Sequence, residues 1–89
     1  MNFALNDRVT LKKFLGEINP PHKVKTQDNY WKLIGEMGSI VKLENQSKMP
    51  KHPNGPRVLI KFDSNVNNFG LSCHNEIENS LWIFISDLK

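Results

Sequence analysis

The segment Arg57-Val58-Leu59-Ile60-Lys61-Phe62 constrains the fold more than any other part of this chain. Side chains alternate along a strand, so Val58, Ile60 and Phe62 share one face while Arg57 and Lys61 share the other. The apolar face must line a core. Upstream, Ser39-Ile40-Val41-Lys42-Leu43 is also short and rich in β-branched and apolar residues, and a turn-forming run separates the two. Together they predict a β-hairpin between Gly35 and Asp63. Gly35 and Gly38 bracket Glu36-Met37 just before the first of these strands. Glycines so placed predict a tight turn with positive φ or a close backbone approach, which a residue without Cβ accepts cheaply.

The remaining segments arrange themselves around that hairpin. Asp7 to Lys13 reads as an outer strand, with Val9 and Leu11 on one face and Arg8, Thr10 and Lys12 on the other. From Phe14 to about Gln27 the periodicity fades, and Pro20-Pro21 rules out helix or central strand because neither residue donates a backbone hydrogen bond. A long excursion is expected there, the first place to look for a binding edge. Asp28 to Ile34 has two readings: a helical turn capped by Asp28, with Tyr30, Leu33 and Ile34 on one side, or an extended return to the sheet. Asn45 to Pro56, with its prolines, its Asn54-Gly55 pair and the cations Lys48, Lys51 and His52, reads as an extended surface loop. Ser64 to Gly70 is a polar connection whose asparagines tolerate left-handed conformations. Leu81-Trp82-Ile83-Phe84-Ile85 is continuously apolar, the mark of a strand covered on both sides. Ser86-Asp87-Leu88 then predicts one closing turn, with Leu88 on the core.

A chain of 89 residues makes one domain, and at that size it buries roughly 60 to 65% of the surface its unfolded form exposes. A large internal active-site cavity is not expected. No apolar run approaches the roughly 20 residues that cross a bilayer, and the start Met1-Asn2-Phe3-Ala4-Leu5-Asn6-Asp7 lacks the pattern of a secretory signal. A cytoplasmic location follows as an expectation, and the single cysteine, Cys73, agrees with a reducing compartment. Charge is polarised along the sequence: eleven Lys and Arg against five Asp and Glu through Lys61, then one Lys against four acids.

Candidate chemistry is sparse. Cys73-His74 is the one adjacent pair of soft ligand types, and His22 and His52 stand in separate loops without metal-ligand spacing. Adjacent residues of an extended segment point to opposite faces, which argues against a working thiol–imidazole pair. Glu76 and Glu78 lie in a polar run with no sign of the pocket that would set their pKa values apart. Gly35 and Gly38 lack the companion glycine and lysine of a phosphate loop. No catalytic residue, metal or cofactor is therefore expected. The aromatics say more: Tyr30, Trp31, Phe69 and Trp82 stand near loops or strand ends. If Leu81, Ile83 and Ile85 face inward, Trp82 and Phe84 face outward as a binding patch; alternatively the excursion folds across and buries them as a second small core. Lys48, Lys51, His52 and Arg57 form the densest cationic group, with Lys12, Lys13, Lys23 and Lys25 another.

Asp7-Arg8-Val9 opening a first strand, Gly35-Glu36-Met37-Gly38-Ser39-Ile40-Val41 entering a second, Val58 to Phe62 as a third, and Trp82 to Leu88 closing the chain together resemble SH3-like barrels of the small bacterial, Tudor-like or KOW-like kind. The resemblance covers about half the chain and implies an all-β, small SH3-like barrel of about five short strands, with a long loop after the first strand. The acidic-aromatic signature of peptide-binding eukaryotic SH3 domains is missing, with Pro20-Pro21-His22 in its place. The glycine-bracketed turn that KOW-like relatives bring to RNA carries Glu36 here rather than a cation. The expectation is a monomeric, non-enzymatic module that engages a protein partner through Tyr30, Trp31, Phe69 and Trp82. The alternatives are nucleic-acid binding through Lys48, Lys51, His52 and Arg57, and a vaguer likeness to small bacterial immunity proteins that inhibit toxins.

Overall fold

The structure, a computed structural model, describes residues 3–44, 53, 55–73, 75 and 77–89. Four strands, β1 (Arg8–Thr10), β2 (Met37–Leu43), β3 (Arg57–Phe62) and β4 (Ser80–Phe84), form one antiparallel sheet in sequence order. The other regular elements are short 3₁₀ turns, and the described residues contain no α-helix. The domain is all-β, as its short apolar runs predict.

The hairpin of β2 and β3 lies at the centre. Ile40 pairs with Ile60 and Gly38 with Phe62, and Val58, Ile60 and Phe62 are all buried. Strict alternation from Ile40 would also turn Lys42 inward. A bulge prevents this: the register shifts between Ile40 and Lys42, so that Lys42 pairs with Leu59 and Leu43 with Val58. The extra residue restores an apolar side chain to the inner face, and Leu43 packs against the core. The two glycines divide the roles foreseen for them. Gly35 takes φ 95° in the turn, while Gly38 is a close-approach site: a Cβ there would stand 2.6 Å from the Lys61 carbonyl oxygen and 2.7 Å from Ile60 Cγ2.

Val9 of the first strand, Leu11 just past it, Ile83 of the last strand and Leu88 beyond that complete the core at about 1% exposure each. Leu88 reaches it through the 3₁₀ turn Ile85–Asp87, which is the predicted closing turn. Past that turn the chain meets the outer edge of β1. Leu11 and Leu88 form an isolated bridge, Thr10 and Lys89 exchange N–H···O bonds of 2.8 and 3.1 Å, and the Lys12 N–H donates to the Asp87 carbonyl at 2.9 Å. Among the described residues four strands thus stand where about five were expected, and their sheet does not close. The physical reason is local: β1 has already ended at Thr10 when Leu88 arrives, and one bridge does not make a strand.

The outer face of the sheet bears on the two readings left open for Trp82 and Phe84. Leu81 and Ile83 point into the central cluster, so alternation turns Trp82 and Phe84 away from it. They are not two exposed rings. Phe84 is 7% exposed and Trp82 half-buried, and Leu59, directly across from Trp82, is 3% exposed. The outer face therefore carries apolar residues of its own, in keeping with the continuous apolar run of β4.

Candidate functional site

The excursion after β1 is the most elaborate part of the surface. Its neck is drawn tight: the Leu11 N–H donates to the Glu36 carbonyl at 3.1 Å, and the Gly35 N–H donates to the Leu11 carbonyl at 2.7 Å. Residues 12–34 project from that neck.

The outgoing limb makes a two-residue turn. Phe14 and Glu17 exchange backbone hydrogen bonds of 2.9 and 3.1 Å, and between them Leu15 and Gly16 both take positive φ, 52° and 79°. Two successive left-handed residues are the signature of a type I′ hairpin turn, for which Asn-Gly is the favoured pair. Here a leucine occupies the first position, in a backbone region that costs an L-residue roughly 1 to 2 kcal/mol. Leu15 is also 56% exposed and Ile18 64% exposed. Below the tip, the Gly16 N–H approaches the buried Asp87 carboxylate at 3.4 Å.

The returning limb holds two 3₁₀ turns, Thr26–Asp28 and Tyr30–Leu33, so the segment with two readings is helical in the 3₁₀ sense. Asp28 lies inside the first turn, and Asn29, which precedes the second, makes no side-chain cap. Leu33 fixes this limb to the core at 0% exposure. The Tyr30 hydroxyl donates to the Ser72 carbonyl at 2.5 Å, and the Ser72 N–H donates to the Gln27 carbonyl at 3.0 Å. Burial, with Asp28 and Cys73 nearby, pushes the Tyr30 hydroxyl above its ordinary pKa and keeps it protonated as a donor. Phe14 joins the two limbs. Its ring meets Trp31 edge-on, with centroids 4.9 Å apart, and Tyr30 at a tilt, with centroids 5.5 Å apart. The result is a three-ring cluster around Phe14, the residue next to the exposed Leu15 of the turn.

Tyr30 and Trp31, neighbours in the sequence, both lie in the second 3₁₀ turn, and the Phe14 ring contacts each of them. Phe69 ends the turn Val66–Phe69, packs against the core, and meets the excursion where Lys32 Nζ approaches its carbonyl at 3.5 Å. Trp82 stands apart on the outer face of β4. Of the cationic candidates, Lys48, Lys51 and His52 lie outside the described residues, as does His74 beside Cys73. The Arg57 guanidinium is 3.3 Å from Glu44, and both side chains are largely buried. Among the described residues no three of His, Cys, Asp and Glu gather as metal ligands, and no helix is long and apolar enough to cross a membrane.

Sequence reasoning missed Phe14, Leu15 and Ile18. The available signal was Gly16 between Phe14 and Ile18, a glycine-containing tight turn flanked by apolar residues. It also missed a polar cleft of about 350 Å³ lined by Asn65, Asn67, Cys73, Asn75, Glu78 and Asn79. The Cys73 thiol is turned into its own loop, where it faces the Ser80 carbonyl at 3.4 Å and the Ile77 carbonyl at 3.6 Å. In comparisons with known proteins, no family model, no curated protein and no solved structure matches this chain.

Proposed function

We propose that this protein is a non-enzymatic binding module that engages a protein partner through the excursion surface of Leu15 and Ile18 with Phe14, Tyr30 and Trp31. One observation carries the reading: Leu15 is held solvent-exposed in a left-handed backbone conformation that disfavours it. Strain of this kind persists where the surroundings impose it, and it clusters at contact sites. An exposed aliphatic pair next to a packed aromatic cluster suits the buried centre of an interface, with Lys12 and Lys13 beside it as rim. Phe69 extends the same surface through Lys32, whereas Trp82 would serve a separate contact on the outer face. The fold reading that goes with this proposal is an SH3-like barrel, supported by the Leu11–Leu88 bridge across the gap between β1 and the segment after β4. A cytoplasmic, monomeric protein completes the proposal.

The test is affinity capture from native lysate at low and high salt, with and without nuclease, using the wild-type chain and the pair Leu15→Asp and Ile18→Asp. Both positions are exposed, so the variants keep the fold. The expected result is a protein partner retained by wild type at high salt after nuclease and lost by the variants. Recovery that depends on nucleic acid and disappears at high salt would replace this reading with the one based on the basic loops.

A further inference from the structure

The asparagine-lined cleft owes nothing to the excursion surface, and its polar groups are arranged in an unusual way. Asn65, Asn75 and Asn79 are each fixed at one end of the amide by the backbone. Asn65 Oδ1 accepts from the Asn67 N–H at 2.9 Å, Asn79 Oδ1 accepts from the Val66 N–H at 3.2 Å, and Asn75 Nδ2 donates to the Ser80 carbonyl at 2.6 Å. These partners dictate which end of each amide is left over. Asn65 and Asn79 have NH₂ donors remaining, and Asn75 an oxygen acceptor. Asn79 is further fixed at φ 60°, a conformation asparagine tolerates better than most residues. Asn67 adds a whole amide that takes no part in holding the turn, and Glu78 adds an exposed carboxylate.

We infer that this cleft binds a neutral polyhydroxylated ligand, a sugar ring, through the amide donors and oxygen acceptors that its backbone contacts leave over. The chemistry excludes the nearest competitors. A hard cation needs six or more oxygens, and two of the four amide oxygens here are already taken by backbone N–H groups. A free anion would meet Glu78 with no cation among the described lining residues to offset it. An apolar ligand would take water from the amides and give them no partner in return, a loss where they are partly buried, as at Asn75 and Asn79. A hydroxyl group both donates and accepts, so a polyol can satisfy leftover donors and leftover acceptors alike. A volume of about 350 Å³ accommodates a ring of that size.

The experiment is titration of the uniformly ¹⁵N-labelled full chain with D-glucose, D-galactose, D-mannose and N-acetyl-D-glucosamine, followed through backbone and side-chain amide resonances. Calcium chloride and sodium phosphate are titrated in parallel. The expected result is a saturable shift of the Asn65, Asn67, Asn75 and Asn79 side-chain signals with at least one sugar, at millimolar affinity. Neither Asn67→Ala nor Glu78→Ala removes a bond that holds the fold, and each is expected to weaken that sugar about tenfold, as loss of one hydrogen bond does. No saturable shift with any sugar up to tens of millimolar overturns the inference. So does saturation by calcium or phosphate alone, or sugar affinity that neither variant changes. None of these outcomes depends on whether a protein docks on Leu15 and Ile18.

Discussion

The β2–β3 hairpin and the excursion between β1 and β2 are held by different physics. In the hairpin a hydrogen-bonded ladder, broken once by the bulge at Val41, coincides with a buried apolar face, so the inward-facing residues are fixed twice, by their backbone and by their side chains. In the excursion much of the backbone faces solvent, and position comes from point contacts: the neck at Leu11 and Gly35, the ring of Phe14, the Tyr30 hydroxyl on Ser72, and Leu33 in the core. Two polar atoms there, Trp31 Nε1 and Asn29 Oδ1, are even buried without a hydrogen-bond partner. A ladder is cooperative and resists local opening, whereas point contacts allow a segment to be remodelled without unfolding the domain. The region able to present strained, exposed side chains is the one that the ladder does not govern.

The sharpest way to break this contrast is to cut a large side chain from the hairpin. Ile60→Ala removes a fully buried side chain paired with Ile40, and is expected to lower the free energy of unfolding by about 4 kcal/mol in urea titrations. A loss below about 1 kcal/mol would mean that the hairpin is not the centre of stability. Gly38→Ala tests the same region by overpacking. Its new Cβ would meet the Lys61 carbonyl, which cannot swing aside as a side-chain end can, and about 2 kcal/mol should be lost.

The excursion should respond more weakly. Tyr30→Phe deletes the bond to the Ser72 carbonyl while keeping the ring against Phe14, and about 1 kcal/mol is expected from that single hydrogen bond. Hydrogen exchange locates the effect: the Ser72 amide, bonded to Gln27, should lose protection while the Ile40 and Ile60 amides keep theirs. Equal loss at all three would show that the excursion and the hairpin open together.

The same division explains what could be read from the sequence. Val58, Ile60 and Phe62 announce their face because a strand imposes a period of two, and Gly38 announces a close approach because nothing larger fits. The bulge at Val41 was visible only as a conflict, Lys42 sharing parity with Ile40, whose resolution depends on pairing with a partner strand. Asp28 to Ile34 left two readings open because its 3₁₀ turns are fixed by Ser72 and by the core, far away in sequence. The cleft was illegible for a like reason: Asn65 and Asn79 are brought together by the fold, and asparagines in a polar connection otherwise signal only turns. Trp82 and Phe84 were placed on the correct face, but alternation alone does not report how deeply that face is covered.

Leu15→Asn sets stability against binding at one residue. Asparagine accepts the left-handed backbone that Leu15 occupies, so thermal unfolding should show a gain of about 0.5 to 1 kcal/mol. Capture of a protein partner should fall at the same time. A more stable variant that still binds fully would mean that the strain at Leu15 serves no contact.

The smallest effect expected is at the Arg8–Asp63 pair, which joins β1 to the end of β3 across the solvent face. Arg8 donates to both carboxylate oxygens of Asp63, and its Nη1 also lies 3.0 Å from Ser39 Oγ. The hydrogen bond to Arg8 holds the Asp63 carboxyl below its ordinary pKa, outweighing a small opposing effect of burial, and the Arg8 charge adds to it. A carboxylate whose folded pKa is depressed stabilises the fold above its unfolded pKa, and that contribution is lost as pH falls through the folded value. Wild type should therefore exceed Asp63→Asn in stability near neutral pH by a small margin, since both side chains are about half exposed and salt screens them. The margin should shrink as pH falls below the ordinary aspartate range, and also as salt is added at neutral pH. A difference between the two proteins that stays constant from neutral pH into strong acid would show that Asp63 acts through packing rather than charge. It would also remove this ion pair from the account of how β1 is held to the hairpin.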